Sequence, residues 1–276
     1  MIKLIVTDID GTLLTPERTI APQTKDAIRR AVKLGVPVLL CTGRIVPGAR
    51  IYHHELDLDT PIVGCNGGII QQPHTGTIIH MQKLANGTAK AVFDILKKYD
   101  LYHHFYSEDT IYGERNEHML GAYVDLAQNG NPQWGIKAQV VASNSQLLDQ
   151  GIDCLKVGFY ADGTPASQSA AREIESLEGI TLVQSREDLY DVVAQGVSKG
   201  QALEALATHY GISTKEIMAV GDQHNDLSMI QVAGMGVAMG NAVQPLLDQA
   251  NFITETNVDH GLAKAIERFV LEVQES

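Results

Sequence analysis

Residues 2–12 read Ile-Lys-Leu-Ile-Val-Thr-Asp-Ile-Asp-Gly-Thr. The segment 2–7 is a short apolar run with β-branched members, which predicts a strand buried on both faces. Directly after it come two carboxylates, Asp8 and Asp10. Two positions apart in extended chain, they face the same side. Gly11 then lets backbone approach a ligand closely.

Outward from this stretch, strand and helix signals alternate. Residues 22–33 predict a helix with Ala27, Ile28, Ala31, Val32 and Leu34 along one side, stopped by Gly35. Residues 36–41 read as a second strand and 62–65 as a third. A helix is expected between them over 44–56, its start blurred by Pro47 and Gly48. This β-α-β-α-β order implies a parallel sheet. Turn signals at 67–68 and 73–76 flank β-rich runs at 69–71 and 77–80, so a hairpin or flap follows.

From about Leu84 to Tyr190 the pattern is mixed. Helices are expected over 88–99, from 117 onward and over 165–177. Strands are expected over 101–106, 110–112, 154–160, 180–184 and 189–193. Thr164-Pro165 is a helix start, with a hydroxyl cap and Pro in the first turn. Residues 134–151 fit neither period. After Gly196 the first pattern returns: helix 199–210 ended by Gly211, strand 217–220, helix 226–233, strands 237–239 and 251–253, and helix 262–270. The expected fold is α/β, a doubly wound Rossmann-like parallel-sheet core built from 1–83 and 191–276, with an inserted α+β cap domain at 84–190.

The 276 residues are 44% apolar, enough for a sizeable core in one large or two modest domains. A net charge of −12 gives no electrostatic footprint for nucleic acid or an anionic membrane. It also means that a phosphate site must be built from local positive groups. No apolar run approaches the roughly 18 residues of a membrane span. The N-terminal apolar run is too short for a signal-peptide core. Cys41, Cys65 and Cys154 show no zinc spacing and sit among apolar neighbours, so reduced core cysteines of a cytoplasmic protein are expected.

Three loops follow three core strands: Asp8 to Thr12, Thr42-Gly43-Arg44, and Gly221 to Asp226. In open parallel sheets, ligands bind outside the carboxyl ends of the strands. One crevice would then hold Asp8, Asp10, Asp222 and Asp226. Four carboxylates repel one another unless a hard cation sits among them, and an oxygen-only set points to Mg²⁺. Mg²⁺ pairs with substrate phosphate, which leads to phosphoryl chemistry. Thr42, Lys199 and Asn225 can donate to phosphate oxygens.

Asp-x-Asp-Gly-Thr near the start, hydrophobic-Thr-Gly-Arg after the second strand, Lys-Gly opening a helix and Gly-Asp-x-x-Asn-Asp after the next strand resemble the haloacid dehalogenase superfamily of phosphohydrolases. The large insertion, residues 234–242 and the ending 254–261 resemble its Cof-type subfamily with a type C2 cap, which includes the YidA-like sugar phosphatases. The resemblance implies that Asp8 is the nucleophile and a Mg²⁺ ligand. It implies that Asp10 is general acid and then base, with its main-chain carbonyl on the metal. It places Thr42, Gly43, Lys199 and Asn225 at the phosphoryl group and Asp222 on the metal, with Asp226 orienting Lys199 or the metal shell.

Other residues carry two readings each. Lys156 either points into the crevice or snorkels from a strand edge. Arg44 braces the site or only an adjacent carboxylate. Asn66 touches substrate or merely forms a turn. The pairs His53-His54 and His103-His104 lack metal-ligand spacing and read as solvated surface histidines. The expected activity is Mg²⁺-dependent hydrolysis of a small phosphorylated metabolite, a sugar phosphate first, through an aspartyl-phosphate. A phosphomutase of the same superfamily, and a phosphatase for pyridoxal phosphate or flavin mononucleotide, are the alternatives. A non-enzymatic regulator would have no need of both Asp8 and Asp10. The inserted segment is expected to close over the crevice about short linkers near 83–86 and 193–196. Nothing in the sequence selects an oligomeric state.

Overall fold

The computed structural model describes residues 1–274 and contains two sheets. In chain order the strands are β1 (Leu4–Thr7), β2 (Val38–Cys41), β3 (Ile62–Gly64), β4 (Ile69–Gln71), β5 (Ile78–Met81), β6 (His103–Tyr106), β7 (Thr110–Gly113), β8 (Lys137–Val140), β9 (Lys156–Tyr160), β10 (Ile180–Arg186), β11 (Leu189–Ala194), β12 (Ile217–Gly221), β13 (Met235–Ala238) and β14 (Phe252–Ile253). The helices used below are α1 (Pro22–Lys33), α2 (Val46–Glu55), α3 (Asn86–Lys98), α4 (His118–Asn129), α5 (Asn144–Asp149), α6 (Pro165–Glu175), α7 (Lys199–Tyr210) and α8 (Leu227–Val232).

The first sheet has the order β14-β13-β12-β1-β2-β3-β4-β5. Every pairing from β14 to β3 is parallel, while β4 and β5 add the antiparallel flap. Successive side chains of β1 alternate between two apolar layers. Ile5 joins Ala27 and Ile28 of α1, while Leu4 and Val6 join Leu203 and Leu206 of α7 and Met229 of α8. β2 repeats this, with Leu40 on the first side and Leu39 and Cys41 on the second. Helices on both faces explain why these strands read as continuous apolar runs. The chain runs outward from β1 through β2 to β3, then returns to β12 on the other side of β1. The strand order therefore reverses between β1 and β12, where open α/β sheets place ligands.

The second sheet, β10-β11-β9-β6-β7-β8, is antiparallel except for β7–β8. It forms an inserted α+β unit. One face packs on α3 and α6 through Phe93, Leu96, Ala170 and Ile174. The other face turns toward the strand ends of the first sheet. There Tyr106 and Leu155, with Leu120 and Tyr123 of α4, share one apolar cluster with Ile45, Val46 and Ala49 around α2. The approach is close: a Cβ on Gly48 of α2 would lie 2.6 Å from the Tyr123 hydroxyl. The two crossing segments, 82–85 and 195–198, are tied by a bond from Gln82 Nε2 to the Gln195 carbonyl at 2.8 Å.

Several expectations need correction. β11 holds the chain in the second sheet through Ala194, paired to β10 and β9 on its two edges. Residues 191–194 thus lie in the second sheet and not in the first. The unreadable stretch 134–151 contains β8 and α5. β8 is an edge strand with mostly exposed residues, so it carries no two-faced pattern. His53, His103 and His104 are buried, not solvated. His104 lies on β6 between the rings of Tyr102 and Tyr106, opposite Gly158, where a Cβ would come within 2.5 Å of its Nε2. His53 bonds the Thr60 carbonyl at 2.8 Å. The three cysteines are buried and free. Among the described residues no helix is long and apolar enough to cross a membrane.

Candidate active site

The ends of β1, β2 and β12 place Asp8, Thr42 and Asp222 side by side. Parallel pairing carries this register into the loops: Asp8 N–H donates to the Val220 carbonyl at 3.0 Å. Gly11, with φ +83°, brings its backbone against the Asp222 carboxylate. Any side chain there would collide, since a Cβ would lie 2.2 Å from Asp222 Oδ2. Thr12 Oγ1 donates to Asp222 Oδ1 at 2.8 Å, which fixes that carboxylate from the β1 side.

Lys199 opens α7, capped by the Ser198 side chain, which accepts from Gln201 N–H. Its side chain is wholly buried, and Nζ lies 2.5 Å from both Asp8 Oδ1 and Asp226 Oδ1. The other oxygen of Asp226 accepts the backbone N–H groups of Asp222 and Gln223 at 2.8 and 2.9 Å. Both Asp226 oxygens are thereby committed. Asp226 braces the β12 loop and Lys199 together.

Across the crevice Arg44 grips Asp10 with two prongs, Nε to Oδ2 at 2.7 Å and a terminal nitrogen to Oδ1 at 2.6 Å. Such forked pairs are both strong and directional. Arg44 also lies over the Tyr52 ring. Of the two sequence readings, the carboxylate-bracing one matches its contacts.

The electrostatics are uneven. Burial pushes Asp8 up to about 7, against the pull of Lys199 and with help from Asp226 and Asp10. Burial, Asp8 and Asp226 push Asp222 up to about 8. Burial disfavours the charge on Lys199, but Asp226 and Asp8 outweigh it and raise its pKa. Carboxyls this poorly compensated are what a hard cation would satisfy. Asp8, Asp222 and Asp226 offer oxygens within 4.8 Å of one another. Asp226 takes the Lys199 ammonium and two backbone N–H groups, whereas Asp8 takes Lys199 on Oδ1 alone and Asp222 takes only the Thr12 hydroxyl and, at 3.4 Å, Gln223 Nε2. Asp8 and Asp222 are therefore the side chains with more capacity left for such an ion.

A cavity of about 340 Å³ opens above these groups. Asp8, Asp10, Thr42, Gly43, Arg44, Asp222 and Asn225 line its floor, and Arg18 joins them. Tyr106, Met119, Tyr123, Leu126, Lys156, Ser185, Arg186, Leu189 and Asp191 line its roof from the second sheet and α4. Lys199 and Asp226 lie beneath Asp8 and do not line it. Asn66 lies behind Gly43, where its Oδ1 accepts from Asn225 Nδ2 at 3.0 Å. Sequence reasoning passed over Thr12, Arg18 and the roof residues, Asp191 among them. Asp191 carried a legible signal, a lone acid within the apolar strand Leu189–Ala194, equivalent to the one that drew attention to Lys156. Thr12 stood inside a recognised motif with no role given to it.

Residues 5–266 match the family model of haloacid dehalogenase-like hydrolases. The chain is 31% identical over 286 residues to the 5-amino-6-(5-phospho-D-ribitylamino)uracil phosphatase YwtE of Bacillus subtilis (strain 168), covering 97% of this chain and 98% of that one. It is 29% identical over 265 residues to the pyridoxal phosphate phosphatase YbhA of Escherichia coli (strain K12), covering 96% and 97%. The solved structure of a haloacid dehalogenase-like hydrolase from B. subtilis matches with a TM-score of 0.86 at 29% identity, covering 98% of this chain and all of that one.

Proposed function

We propose a reaction for this chain, which belongs to the haloacid dehalogenase-like hydrolases and is a phosphatase of the Cof type: Mg²⁺-dependent hydrolysis of a small phosphomonoester through an aspartyl-phosphate. The observation that carries it is Lys199, buried beneath the cavity floor and shared between Asp8, which lines the cavity, and Asp226, which does not. It leaves the second oxygen of Asp8 to attack phosphorus while a positive charge sits beside the bond being made.

In the first step an Asp8 oxygen forms a bond to phosphorus, and the ester oxygen leaves with a proton from Asp10. In the second, Asp10 takes a proton from water, whose oxygen attacks phosphorus. Phosphate leaves and Asp8 is regenerated. Thr42, the Gly43 N–H, Lys199 and Asn225 hold the phosphoryl oxygens. Asp8, Asp222 and the Asp10 main-chain carbonyl would hold Mg²⁺. When bound, the ion neutralises phosphoryl charge and aligns phosphorus with Asp8. The three free, buried cysteines suit a reducing, cytoplasmic setting.

A sugar phosphate satisfies the floor of the cavity. The roof favours a second substrate class. Tyr106, Met119, Tyr123, Leu126 and Leu189 present apolar and aromatic surface, which suits a flat ring better than an open polyol. The names of the two curated relatives, one acting on a ribitylaminouracil phosphate and one on pyridoxal phosphate, agree with a ring-bearing leaving group.

The test is a panel of hexose phosphates, pyridoxal phosphate, flavin mononucleotide and pyrimidine phosphates, assayed for released phosphate with Mg²⁺ and with chelator. Free phosphate supports hydrolysis. An isomerised sugar phosphate without release would mean a mutase. No turnover of any ester would reject the reaction.

A further inference from the structure

A ring of polar contacts crosses the junction between the two sheets. Lys156, on β9, donates to the Gly43 carbonyl at 2.7 Å and lies 3.0 Å from Asp191 Oδ2 on β11. Asp191 Oδ2 also accepts from Asn66 Nδ2 at 2.8 Å and from the Ser185 hydroxyl. Asn66 in turn accepts from Asn225, beside the Asp222 loop. The circuit thus leaves the first sheet at Asn66, passes through Asp191 and Lys156, and re-enters at Gly43.

Lys156 lines the cavity, yet it has little to offer a substrate. An ammonium carries three N–H donors. Gly43 O and Asp191 take two, and the third side faces the Tyr106 ring, whose centroid is 4.5 Å from Nζ. The side chains of Lys156 and Asp191 are 3% and 0% exposed. Charges this deep persist only when paired, and such pairs contribute conformational register more readily than net stability. The two first-sheet partners are informative. Gly43 follows Thr42 in the phosphoryl-binding loop. Asn66 belongs to a left-handed turn, with φ +52° at Cys65 and +58° at Asn66, and the next residue, Gly67, abuts the Ser198 carbonyl at the start of α7.

We propose that Lys156 and Asp191 are positioning residues that latch the inserted unit over the strand ends, so that the Thr42-Gly43-Arg44 loop and the Cys65–Gly67 turn reach their phosphate-gripping geometry only when the unit is closed. The proposal rests on the reading above in one respect, that Thr42 and Gly43 hold the phosphoryl group. The latch itself joins elements and can be measured without turnover.

The experiment compares the whole wild-type chain with Lys156→Met/Asp191→Leu, which removes both charges at similar volume and leaves no lone buried ion. Amide hydrogen exchange is followed without ligand, and inhibition by inorganic phosphate is measured alongside. Amides at 42–44 and 65–68 should exchange at least about tenfold faster in the double variant, as local opening becomes easier. Inorganic phosphate should inhibit at correspondingly higher concentration, while the thermal midpoint stays near wild type. Wild-type exchange and wild-type phosphate inhibition in the folded double variant would overturn the latch. If that variant does not fold, Asn66→Gly takes its place. It tolerates the left-handed turn, leaves Lys156 and Asp191 paired, and cuts one arm of the ring. Faster exchange at 42–44 is again expected, and unchanged exchange again rejects the latch. Should the wild-type protein turn over no phosphate ester, the proposed reaction fails, and the exchange comparison still decides the latch.

Discussion

Arg44 holds Asp10 through two parallel hydrogen bonds, at 2.7 and 2.6 Å, across the strand-end crevice. Burial opposes charge on Asp10, yet Arg44, helped by Arg18 and Lys199, outweighs it and keeps this carboxyl below its ordinary range. In this pairing Asp10 is ionised at neutral pH, the form needed to take a proton from water. In the proposed reaction, giving a proton to the leaving group requires Asp10 to swing out of the Arg44 fork and become protonated.

Arg44→Met should therefore raise the Asp10 pKa. The acid limb of the pH–rate profile for hydrolysis of the aspartyl-phosphate should move to higher pH, because the base form is lost earlier on acidification. Steady-state profiles with nitrophenyl phosphate, whose good leaving group makes the second step limiting, check this. An unmoved limb would separate Asp10 ionisation from Arg44.

Asp8→Asn should abolish turnover and leave the fold intact, since an amide cannot form the acyl phosphate. It also removes one of several crowded carboxylates, so the thermal midpoint should not fall at pH 8. Asp10→Asn should slow turnover by about 10²–10⁴-fold, the usual worth of acid–base catalysis. Turnover by Asp8→Asn near the wild-type rate would dismiss Asp8 as nucleophile.

Chelator should remove activity and Mg²⁺ restore it, with Ca²⁺ a poor substitute because it takes more ligands in looser geometry. Stability should follow the same ion. With their pKa values raised to about 7 and about 8, Asp8 and Asp222 bind protons more tightly in the folded chain than in the unfolded one. Their contribution to stability is complete below the ordinary carboxylate range and is lost as pH rises through 7 and 8. In chelator the thermal midpoint should thus fall across that window. Mg²⁺ should raise the midpoint more at pH 8 than at pH 6. Equal Mg²⁺ effects at both values would contradict the assignment.

Gly67→Ala should cost roughly 2–4 kcal/mol, from left-handed strain and overpacking together. The backbone there has φ +101°, and a Cβ would lie 2.3 Å from the Ser198 carbonyl and 3.3 Å from Lys199 N. Because the collision displaces the start of α7, activity should drop together with the midpoint in thermal and kinetic assays. A stable variant with normal kcat would mean that α7 can shift without moving the Lys199 ammonium.

Much of the first sheet was legible because its strands are short apolar runs covered on both faces and its helices carry clear stops. α1 and α7 begin and end where Pro22, Gly35 and Gly211 indicate. The crevice residues Asp8, Thr42 and Asp222 were legible because each directly follows a core strand, where local spacing carries the pattern. β8 and α5 were not, since an edge strand and a six-residue helix lack a two-faced pattern. His103 and His104 misled for a related reason. Polarity suggests exposure, but β6 is an inner strand of the second sheet, and the missing side chain of Gly158 makes room for one of these rings.

By itself the sequence determined the doubly wound core, the order of its chemical loops and the oxygen-only acid cluster, because these follow from short-range period and from residues adjacent to strand ends. Only the tertiary structure decided that both oxygens of Asp226 are spent on Lys199 and the β12 loop, that Arg44 belongs to Asp10, and that Lys156 is satisfied by Asp191 and Gly43. Partners such as Asp10 and Arg44, 34 residues apart, or Lys199 and Asp8, 191 apart, meet only through sheet pairing. A buried charge takes whichever counter-charge the packed strands bring within reach, and no local pattern encodes that choice.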